Sequence, residues 1–450
     1  MMNKLKKIIR CIKRIIKRFI KGIFWLLFPQ FIRTRIKNLL LNVLNKLYYY
    51  LTGANFALLI QYRDEIFNTG KKSTEFIEYR ENKIIFNDDD VKPIAAYLTQ
   101  YHAIPENDKW WGKGFTEWAN VTKAVPLFPG HYQPHLPLET FYDLNDISVI
   151  KRQVEIAKNY GIYGFMFHYY WFGGKRLLEK PLENFLKTKE NLDFPFCINW
   201  ANHHWTRIWD TSKNELLMEQ IHSDEDDIAC IADICRFLKD DRYLKVNGTP
   251  FISIFNPSLL PNPNKTIETW RKYCKKNGIG EIYITAMDYD IWDPLIYDFD
   301  GGIAQSPHDI NGKFAQKLAT LKKSINGKSI CKLFDMEKYV REKMYLTDGR
   351  DKLYRGIIPG FDNTARRNDY VHILNVTPKL YREWLYDIMK STRENFKSGN
   401  RFIFINAWNE WAEGAHLEPD RKHGFAYLQA TADTILKIKS EFSSKQEQDF

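Results

Sequence analysis

The chain has 450 residues, 44% of them hydrophobic and 27% charged, and this balance excludes a largely disordered protein. Its formal net charge of +11 is concentrated at one end, because residues 1–50 hold thirteen Lys and Arg but no Asp or Glu. The remaining 400 residues carry a formal charge of −2, so nothing in them indicates nucleic-acid binding.

The first predicted element is a basic amphipathic helix over residues 4–23. Apolar side chains recur at helical spacing on one face, and eight Lys and Arg fill the other. The segment lacks the run of about 20 uncharged apolar residues that crosses a bilayer, and it lacks the small-residue cleavage site of a signal peptide. We predict that residues 1–62 form an arm on an anionic membrane surface, peripheral on the cytoplasmic face of the plasma membrane. Packing of this helix on the body or on a partner is the alternative.

A polar stretch over residues 63–92 is predicted as a linker, residues 93–440 as the catalytic body, and residues 441–450 as a polar tail. In the body, short apolar runs alternate with helical patterns, which is typical of buried parallel strands joined by helices. The predicted strands are 94–101, 163–170, 196–201, 250–256, 282–287, 301–306, 356–361 and 402–408. The predicted helices include 146–160, 180–190, 224–239, 265–277, 378–397 and 424–440. Eight such strands predict an α/β fold, a (β/α)8 TIM barrel with loop insertions. A doubly wound sheet is the alternative, and the missing glycine-rich first turn disfavours it.

Polar and aromatic side chains gather where the predicted strands end. In a barrel these ends converge on one face, where active sites lie. Aromatic rings stack on the apolar faces of sugars, and amides and carboxylates bind the hydroxyl groups. The sequence therefore predicts a carbohydrate site. Its candidate binding residues are Tyr101, His102, Trp111, His168, Tyr169, Tyr170, Trp200, Asn202, His204, Trp205, Asn256, Asp362, Asn363, Trp408, Asn409 and Trp411.

Glu410 and Glu413 are the candidate catalytic pair. Cleavage of a glycosidic bond usually needs two carboxylates, for proton transfer and for nucleophilic or charge-stabilising work. Both residues follow the last predicted strand and are interleaved with Trp408 and Trp411. A solvated acidic loop is the alternative interpretation. Arg366 could pair with an anionic group of the substrate, or it could brace the site through ion pairs.

The sequence predicts neither a cofactor nor a metal site. His203 and His204 are adjacent without an HExxH or CxxC motif, and neighbouring side chains rarely converge on one ion. Two Asp-x-Asp triplets, at 288–290 and 298–300, imitate the metal-binding pair of nucleotide-sugar transferases, but such triplets often arise by chance. No phosphate-binding glycine loop and no GxSxG elbow occurs. Six scattered cysteines without a CxxC pair predict reduced thiols in a cytosolic protein.

The motifs of the body resemble those of the WbsX-type glycosyltransferases, also called glycoside hydrolase family 99-like proteins. The resemblance is carried by residues 97–121, 131–137, 163–182, 200–210, 360–367 and 407–420, which together span nearly all of 93–430. It implies a (β/α)8 barrel and an association with bacterial O-antigen and capsule loci. In one departure, the usual WANENW reads WANHHW here, so His203 stands where a Glu is common. This difference marks a candidate for altered substrate choice.

The resemblance also implies catalytic roles. The Asn-Glu-Trp-x-Glu motif of the retaining family 99 endo-α-1,2-mannosidases is matched by Asn409, Glu410, Trp411 and Glu413. By this resemblance, Glu410 assists the sugar 2-hydroxyl as an internal nucleophile, through a 1,2-anhydro sugar, and Glu413 is the general acid/base. Two carboxylates three residues apart on one loop lie on the same side, which suits this substrate-assisted route better than two carboxylates flanking the anomeric carbon.

Three functions are compatible with these features. The first is an enzyme of cell-surface polysaccharide biosynthesis that cleaves or transfers linkages, α-mannose-type among the candidates, of an oligosaccharide or lipid-linked glycan. The second is a nucleotide-sugar-dependent glycosyltransferase, which would need a nucleotide pocket. The third is a non-catalytic glycan-binding scaffold at the membrane, which would be favoured if Glu410 and Glu413 were dispensable.

Removal of residues 1–50 is expected to release the protein from anionic membranes without unfolding the body, because these residues carry thirteen cations. The measurement is co-sedimentation of the full and shortened chains with vesicles that contain phosphatidylserine, with circular dichroism to check folding. Undiminished sedimentation of the shortened chain would refute the role of the arm.

Overall fold

The structure is a computed structural model. It describes residues 63–446 except for 65, 67–69, 189–191, 208–214, 289–296, 305, 307–309, 311–313, 325–329, 347–351 and 368–370. The arm predicted over residues 1–62 lies outside the described residues, so its boundary and its membrane role stay predictions. Among the described residues, no helix combines the length and the apolar character needed to cross a membrane.

The strands form one closed parallel barrel and several small appended sheets. In chain order they are β1 (Lys92–Tyr97), β2 (Gly164–Phe172), β3 (Lys175–Leu177), β4 (Phe196–Trp200), β5 (Trp205–Thr206), β6 (Leu216–Met218), β7 (Lys245–Val246), β8 (Thr249–Ile254), β9 (Tyr283–Asp288), β10 (Gly301–Ala304), β11 (Ala319–Lys323), β12 (Ile330–Phe334), β13 (Leu353–Tyr354), β14 (Gly356–Ile357), β15 (Phe361–Asp362), β16 (Val371–Leu374), β17 (Phe402–Ile405), β18 (Asn409–Glu410) and β19 (Ala415–His416).

Parallel pairing runs in the order β13-β10-β9-β8-β4-β2-β1-β17-β14. Only Arg355 separates β13 from β14, so these two segments occupy one position and close the ring at eight strands. The predicted (β/α)8 barrel is therefore confirmed. Seven of the predicted strands overlap a barrel strand closely. The remaining strand is predicted over 356–361, but the barrel position is filled by β13 and β14, which end at residue 357. The next strand, β15, has left the barrel and pairs with β16.

The helices cover the outside of the barrel, so its strands are buried on both faces. They are α1 (Pro105–Trp111), α2 (Trp118–Lys123), α3 (Ile147–Asn159), α4 (Lys180–Leu186), α5 (Asp224–Leu238), α6 (Pro263–Lys276), α7 (Ala315–Leu318), α8 (Met336–Arg341), α9 (Pro378–Asn395) and α10 (Ala426–Gln446). Capping side chains fix where the long helices begin. Asp146, Ser223, Asn262 and Thr377 each accept a hydrogen bond from a main-chain N–H of the first turn of α3, α5, α6 and α9.

Two excursions at the carboxyl ends of the barrel strands carry the predicted site. After β14 the chain enters a four-stranded sheet, in the order β11-β12-β16-β15, and a 3-10 turn (Asn363–Ala365) follows β15. After β17 it forms the β18–β19 hairpin, whose tip is a second 3-10 turn (Trp411–Glu413). Arg366 follows the first turn, Glu410 precedes the second, and Glu413 is the last residue of the second.

Arg80 and Asn82 of the predicted linker contact the end of α3. The Arg80 N–H donates to the Tyr160 hydroxyl at 2.8 Å, and the Asn82 N–H donates to Asn159 Oδ1 at 2.8 Å. Both acceptors lie at the end of α3, just before the amino end of β2. Earlier in the stretch, the Ser73 N–H donates to the Lys422 carbonyl at 2.8 Å and the Ile77 N–H to the His423 carbonyl at 3.1 Å, so it also contacts the segment before α10.

Gly356→Ala is expected to destabilise the barrel, because a Cβ at this position would lie 1.8 Å from the carbonyl oxygen of Ala304 in β10. Overpacking usually costs about 1–3 kcal/mol, and we expect at least the upper end here, since two barrel backbones must separate. The measurement is the free energy of unfolding in urea. The control is Gly360→Ala, whose Cβ would meet its nearest neighbour at 3.3 Å. Equal losses of stability in the two variants would contradict this account of barrel closure.

Candidate active site

Three carboxylates converge on the guanidinium of Arg366. Its Nη2 lies 2.7 Å from Glu410 Oε1 and 3.1 Å from Glu117 Oε2, and its Nη1 lies 2.7 Å from Glu413 Oε1. Nη2 also donates to Gln100 Oε1 at 3.2 Å. Glu117 and Glu410 are buried, whereas the side chain of Glu413 keeps 30% of its surface exposed. Both candidate catalytic carboxylates thus contact one cation, and one of them remains open. Arg366 forms the bracing ion pairs that one interpretation of the sequence proposed.

Four separate segments supply this cluster. Gln100 follows β1, Glu117 precedes α2, and Arg366 follows the 3-10 turn after β15. The β18–β19 hairpin supplies Glu410 and Glu413. Its tip ends at Gly414, which has a φ of +60° and can adopt this left-handed conformation because it lacks a Cβ.

The charge balance of the cluster favours a protonated carboxyl group. Burial raises the pKa of Glu410 to about 8; Arg366 opposes the increase, while Glu413 and Glu117 add to it. Burial acts to lower the pKa of Arg366, but the carboxylates outweigh it and raise that pKa. One buried cation cannot balance three ionised carboxylates, so Glu410 can hold and release a proton near neutral pH.

Phenol groups line the inner side of the cluster. The Tyr101 hydroxyl accepts a hydrogen bond from the Trp411 main-chain N–H at 3.0 Å, and the Tyr170 hydroxyl accepts one from Gln100 Nε2 at 2.9 Å. Burial is the first cause that raises the pKa of both tyrosines, followed by the nearby Glu410 carboxylate. Both phenols therefore keep their protons.

Alternation along β2 separates the candidates of that strand. Successive side chains point to opposite faces, so His168 and Tyr170 face the barrel interior, whereas Tyr169 faces the helices. The Tyr169 hydroxyl donates to Asp233 Oδ2 of α5 at 2.9 Å, outside the barrel. The structure thus places Tyr169 apart from the Arg366 cluster, and the parity of the strand was the signal that could have excluded it.

Burial keeps three histidines neutral: the candidates His102 and His168, and His203 of the WANHHW motif. Burial lowers the pKa of His168 to about 3 and that of His203 to about 4. His203 has Glu413 among its charged neighbours, and His168 has Arg366, so both lie near the cluster. Burial also lowers the pKa of His102, whose acidic neighbours are Asp143 and Glu179 and not the cluster.

Several candidate amides and carboxylates hold loops in place. Asn409 is fully buried, and its side chain accepts from the Leu98 N–H at 2.8 Å and donates to the Leu98 carbonyl at 3.0 Å. Asn202 exchanges two such bonds with the main chain of Asn256, each of 2.8 Å. These residues fasten the loops after β1, β4 and β8.

The excursion that carries Arg366 is fixed in the same way. Asp362 Oδ1 accepts from the Thr364 N–H at 3.0 Å, and Asn363 Oδ1 accepts from the His372 N–H at 3.0 Å. The Arg366 N–H in turn donates to the Asn363 carbonyl at 3.1 Å. These bonds set the position of the Arg366 backbone and so of its guanidinium.

The candidate tryptophans fall into two groups. Trp200, Trp408 and Trp411 are fully buried. Trp200 pairs in register with Tyr169 and packs on Trp270 of α6, with ring centroids 5.3 Å apart, so it lies on the helix side of the barrel and apart from the Arg366 cluster. Trp111 and Trp205 are half-buried on loops after β1 and β4, where sugar faces could stack. The Trp205 ring lies 5.2 Å from that of Tyr170, and the Arg207 guanidinium lies 5.1 Å from that of Trp111. His204 is exposed beside this group, and its Nδ1 accepts from the Gln220 N–H at 2.9 Å.

The two Asp-x-Asp triplets lie at different ends of the barrel strands, since Asp288 of the first triplet is the last residue of β9. Residues 289–296 lie outside the described residues. Asp300 Oδ2 lies 2.8 Å from Arg271 Nη2 and accepts from the Ile284 N–H at 2.8 Å, near the amino ends of β9 and β10. The second triplet is therefore part of an ion pair on the opposite side of the barrel.

The sequence did not predict that Glu117 belongs to the site or that it pairs with Arg366. Glu117 stands 249 positions from Arg366, and its Oε2 accepts from Arg366 Nε at 3.2 Å. Its only signal in the sequence was an acidic residue within the aromatic loop after the first predicted strand.

Comparisons with known proteins are consistent with the motifs. The family model described as Glycosyltransferase WbsX matches residues 93–431. The protein WxcX from two strains of Xanthomonas campestris pv. campestris is 40% identical over 348 residues, which cover 76% of this chain and 49% of WxcX. The chain thus spans about half the length of these curated relatives.

Solved structures were also compared with the chain. A glycoside hydrolase-like protein is 14% identical with a TM-score of 0.47, and the match covers 80% of this chain and 98% of that protein. The second structure is the glycoside hydrolase family 99 endo-α-mannosidase from Bacteroides thetaiotaomicron in complex with bis-tris-propane. It is 13% identical with a TM-score of 0.47, and the match covers 80% of this chain and 100% of that protein.

The raised pKa of Glu410 is expected to make the protein less stable as pH rises. Its carboxyl group has a pKa of about 8 when folded against an ordinary value of 4.5. The folded state therefore binds the proton more tightly, and this stabilisation is full below about pH 4.5 and lost as pH rises through about 8. The measurement is the free energy of unfolding of wild type minus that of Glu410→Gln, between about pH 5 and pH 9. This difference should fall with pH. A pH-independent value for Glu410→Gln would contradict the raised pKa.

Proposed function

The chain belongs to the WbsX glycosyltransferase family, and from this premise we propose that it cleaves or transfers glycosidic linkages in the biosynthesis of a bacterial cell-surface polysaccharide. Membership of the family supports a glycan-active enzyme. The observation that carries the finer proposal is the convergence of Glu410 and Glu413 on Arg366 at the carboxyl-end face of the barrel.

Glu410 suits the role of a base toward the sugar 2-hydroxyl. A base works best when its pKa lies near the operating pH, and burial raises the pKa of Glu410 to about 8. In the proposed step, Glu410 takes the proton of the 2-hydroxyl, and that oxygen attacks the anomeric carbon. The bond to the leaving oxygen breaks, and a 1,2-anhydro sugar forms.

Glu413 suits the role of acid and then base. Its side chain is the more exposed of the two, so a leaving group or an incoming acceptor can reach it. In the first step Glu413 protonates the leaving oxygen. In the second it takes a proton from water or from an acceptor hydroxyl, which opens the anhydro ring while Glu410 returns its proton to the 2-oxygen. Water gives hydrolysis, and an acceptor sugar gives transfer.

Arg366 suits the role of a fixed positive charge between the two carboxylates. Its Nη2 contacts Glu410 and its Nη1 contacts Glu413, so one planar guanidinium lies between the two carboxylates. The donor directions of a guanidinium are fixed, which also fixes the positions of its partners. This arrangement supports two carboxylates that act together on one side of the sugar.

The half-buried Trp111 and Trp205 support a glycan substrate at the mouth of the barrel. A lipid-linked glycan fits the proposed arm, because residues 1–50 would hold the enzyme at the inner face of an anionic membrane. Transfer from a nucleotide sugar is the second candidate, favoured by the description of the family as glycosyltransferases.

The test is product analysis with the purified full chain. Manno-oligosaccharides and lipid-linked polysaccharide intermediates are incubated with wild type, Glu413→Gln and the exposed control Glu268→Gln, with and without sugar nucleotides. We expect product without a nucleotide, and a loss of at least about 100-fold in Glu413→Gln, because general acid–base catalysis contributes about 10²–10⁴-fold. Unfolding curves should be unchanged, since Gln preserves the volume of the side chain.

Two outcomes would contradict the proposal. Undiminished turnover by Glu413→Gln would remove Glu413 from the reaction. Product that forms only when a sugar nucleotide is present would indicate a conventional transferase and leave Glu410 and Glu413 with binding roles.

A further inference from the structure

We propose that His135, His416 and Asp420 form a binding site for a divalent transition-metal cation of the Zn²⁺ type, directly behind the turn that carries Glu413. The site does not depend on the proposed function. Its ligands come from the loop after α2 and from the segment that begins with β19.

The three ligand atoms already surround a common point. His135 Nδ1 lies 3.0 Å from His416 Nε2, and His416 Nε2 lies 3.9 Å from Asp420 Oδ2. All three atoms are within 4.8 Å of one another. A tetrahedral Zn²⁺ with bonds of about 2.0–2.1 Å holds its ligand atoms about 3.3 Å apart, and the two distances lie on either side of that value. Small side-chain movements would therefore complete the coordination.

The neighbours of His416 present the correct nitrogen to a metal. His416 Nδ1 lies 3.0 Å from the Glu418 carbonyl oxygen, which can only accept, so Nδ1 carries the proton. Its Nε2 then directs a lone pair toward His135 and Asp420. A carbonyl partner of this kind is how proteins orient histidine ligands. The Trp411 ring stacks on the imidazole with centroids 3.8 Å apart and fixes its plane.

Asp420 is held by partners of its own. Its Oδ1 accepts from the His423 N–H, and its Oδ2 lies 3.3 Å from His423 Nδ1 and 3.3 Å from the Tyr132 hydroxyl. The carboxylate is buried, so a cation there would be shielded from solvent.

Two imidazoles and one carboxylate are ligand types that Zn²⁺ binds. Asp362 and Lys422 are the other charged groups near His135.

A plain hydrogen bond between the two imidazoles is the competing arrangement. It accounts for the 3.0 Å between His135 and His416. A cation accounts in addition for the Asp420 oxygen beside the same His416 nitrogen, at a distance too long for a hydrogen bond.

A cation here would brace the catalytic hairpin and take no part in the reaction. His416 pairs with Asn409 across the β18–β19 hairpin, next to Glu410. A Cβ on Gly414 would lie 3.2 Å from His135 Cε1, so the cluster adjoins the end of the turn that holds Glu413. The metal would tie the loop after α2 to this hairpin.

The experiment measures metal binding and stability and not activity, so its failure and that of the proposed function are distinguishable. Untagged, chelator-treated full chain is titrated with Zn²⁺ against a chromophoric chelator, and Co²⁺ is added to record the visible bands of a four-coordinate site. His135→Gln is the key variant, because its amide can still donate a hydrogen bond to His416 while the imidazole ligand is lost. His222→Gln, a half-buried histidine outside the cluster, is the matched control.

We expect wild type and His222→Gln to bind Zn²⁺ and to unfold at a higher temperature when it is present. His135→Gln should bind Zn²⁺ at least about 100-fold more weakly, since loss of a ligand should cost more than the 10–100-fold that loss of an outer partner costs. Its metal-free unfolding temperature should match that of wild type. Absence of Zn²⁺ binding by folded wild type, or equal binding by His135→Gln, would overturn the proposal and identify a hydrogen-bonded histidine pair.

Discussion

The ion pairs of Arg366 with Glu117, Glu410 and Glu413 are the interaction on which the candidate site depends. Loss of the Arg366 cation from this buried cluster would cost about 3–5 kcal/mol, because the buried carboxylates would be left without a compensating charge. The loops that supply these residues are therefore held to one arrangement. The excess of carboxylates over cations in the same cluster is also the source of the raised pKa of Glu410, together with its burial. Structural cohesion and proton chemistry thus have one origin.

Closure of the barrel brings the members of this cluster together. Gln100 and Glu117 follow the first strand, Arg366 follows the seventh, and the carboxylate pair follows the eighth. The seventh position is divided between β13 and β14, which pair with β10 on one side and β17 on the other. Without that position the ring would open between β10 and β17. The close approach of Gly356 to the Ala304 carbonyl makes this seam sensitive to side-chain volume.

Trp411 connects the two sites described for the hairpin. Its main-chain N–H donates to Tyr101 on the side of the Arg366 cluster. Its indole Nε1 donates to Glu418 Oε2 at 2.8 Å, and its ring stacks on His416 of the proposed cation site. A buried tryptophan with satisfied polar groups is a rigid support, so the turn that holds Glu413 is fixed from behind. The segment from Trp408 to Asp420 therefore carries both the Glu410–Glu413 pair and the residues that support it.

The sequence by itself predicted seven of the eight strands closely, the barrel, and the proximity of Glu410 to Glu413, because these depend on neighbouring residues. Strands buried on both faces produce apolar runs, and Glu410 and Glu413 share one loop. The partners of that pair could not be predicted in the same way. Glu117 lies 249 positions from Arg366, and His135 lies 281 positions from His416. The side of β2 that Tyr169 occupies, and the burial of Asn409 against Leu98, also required the structure. Local spacing fixes which elements form, whereas contacts between distant residues are decided only when the barrel closes and the loops at its carboxyl ends pack against one another.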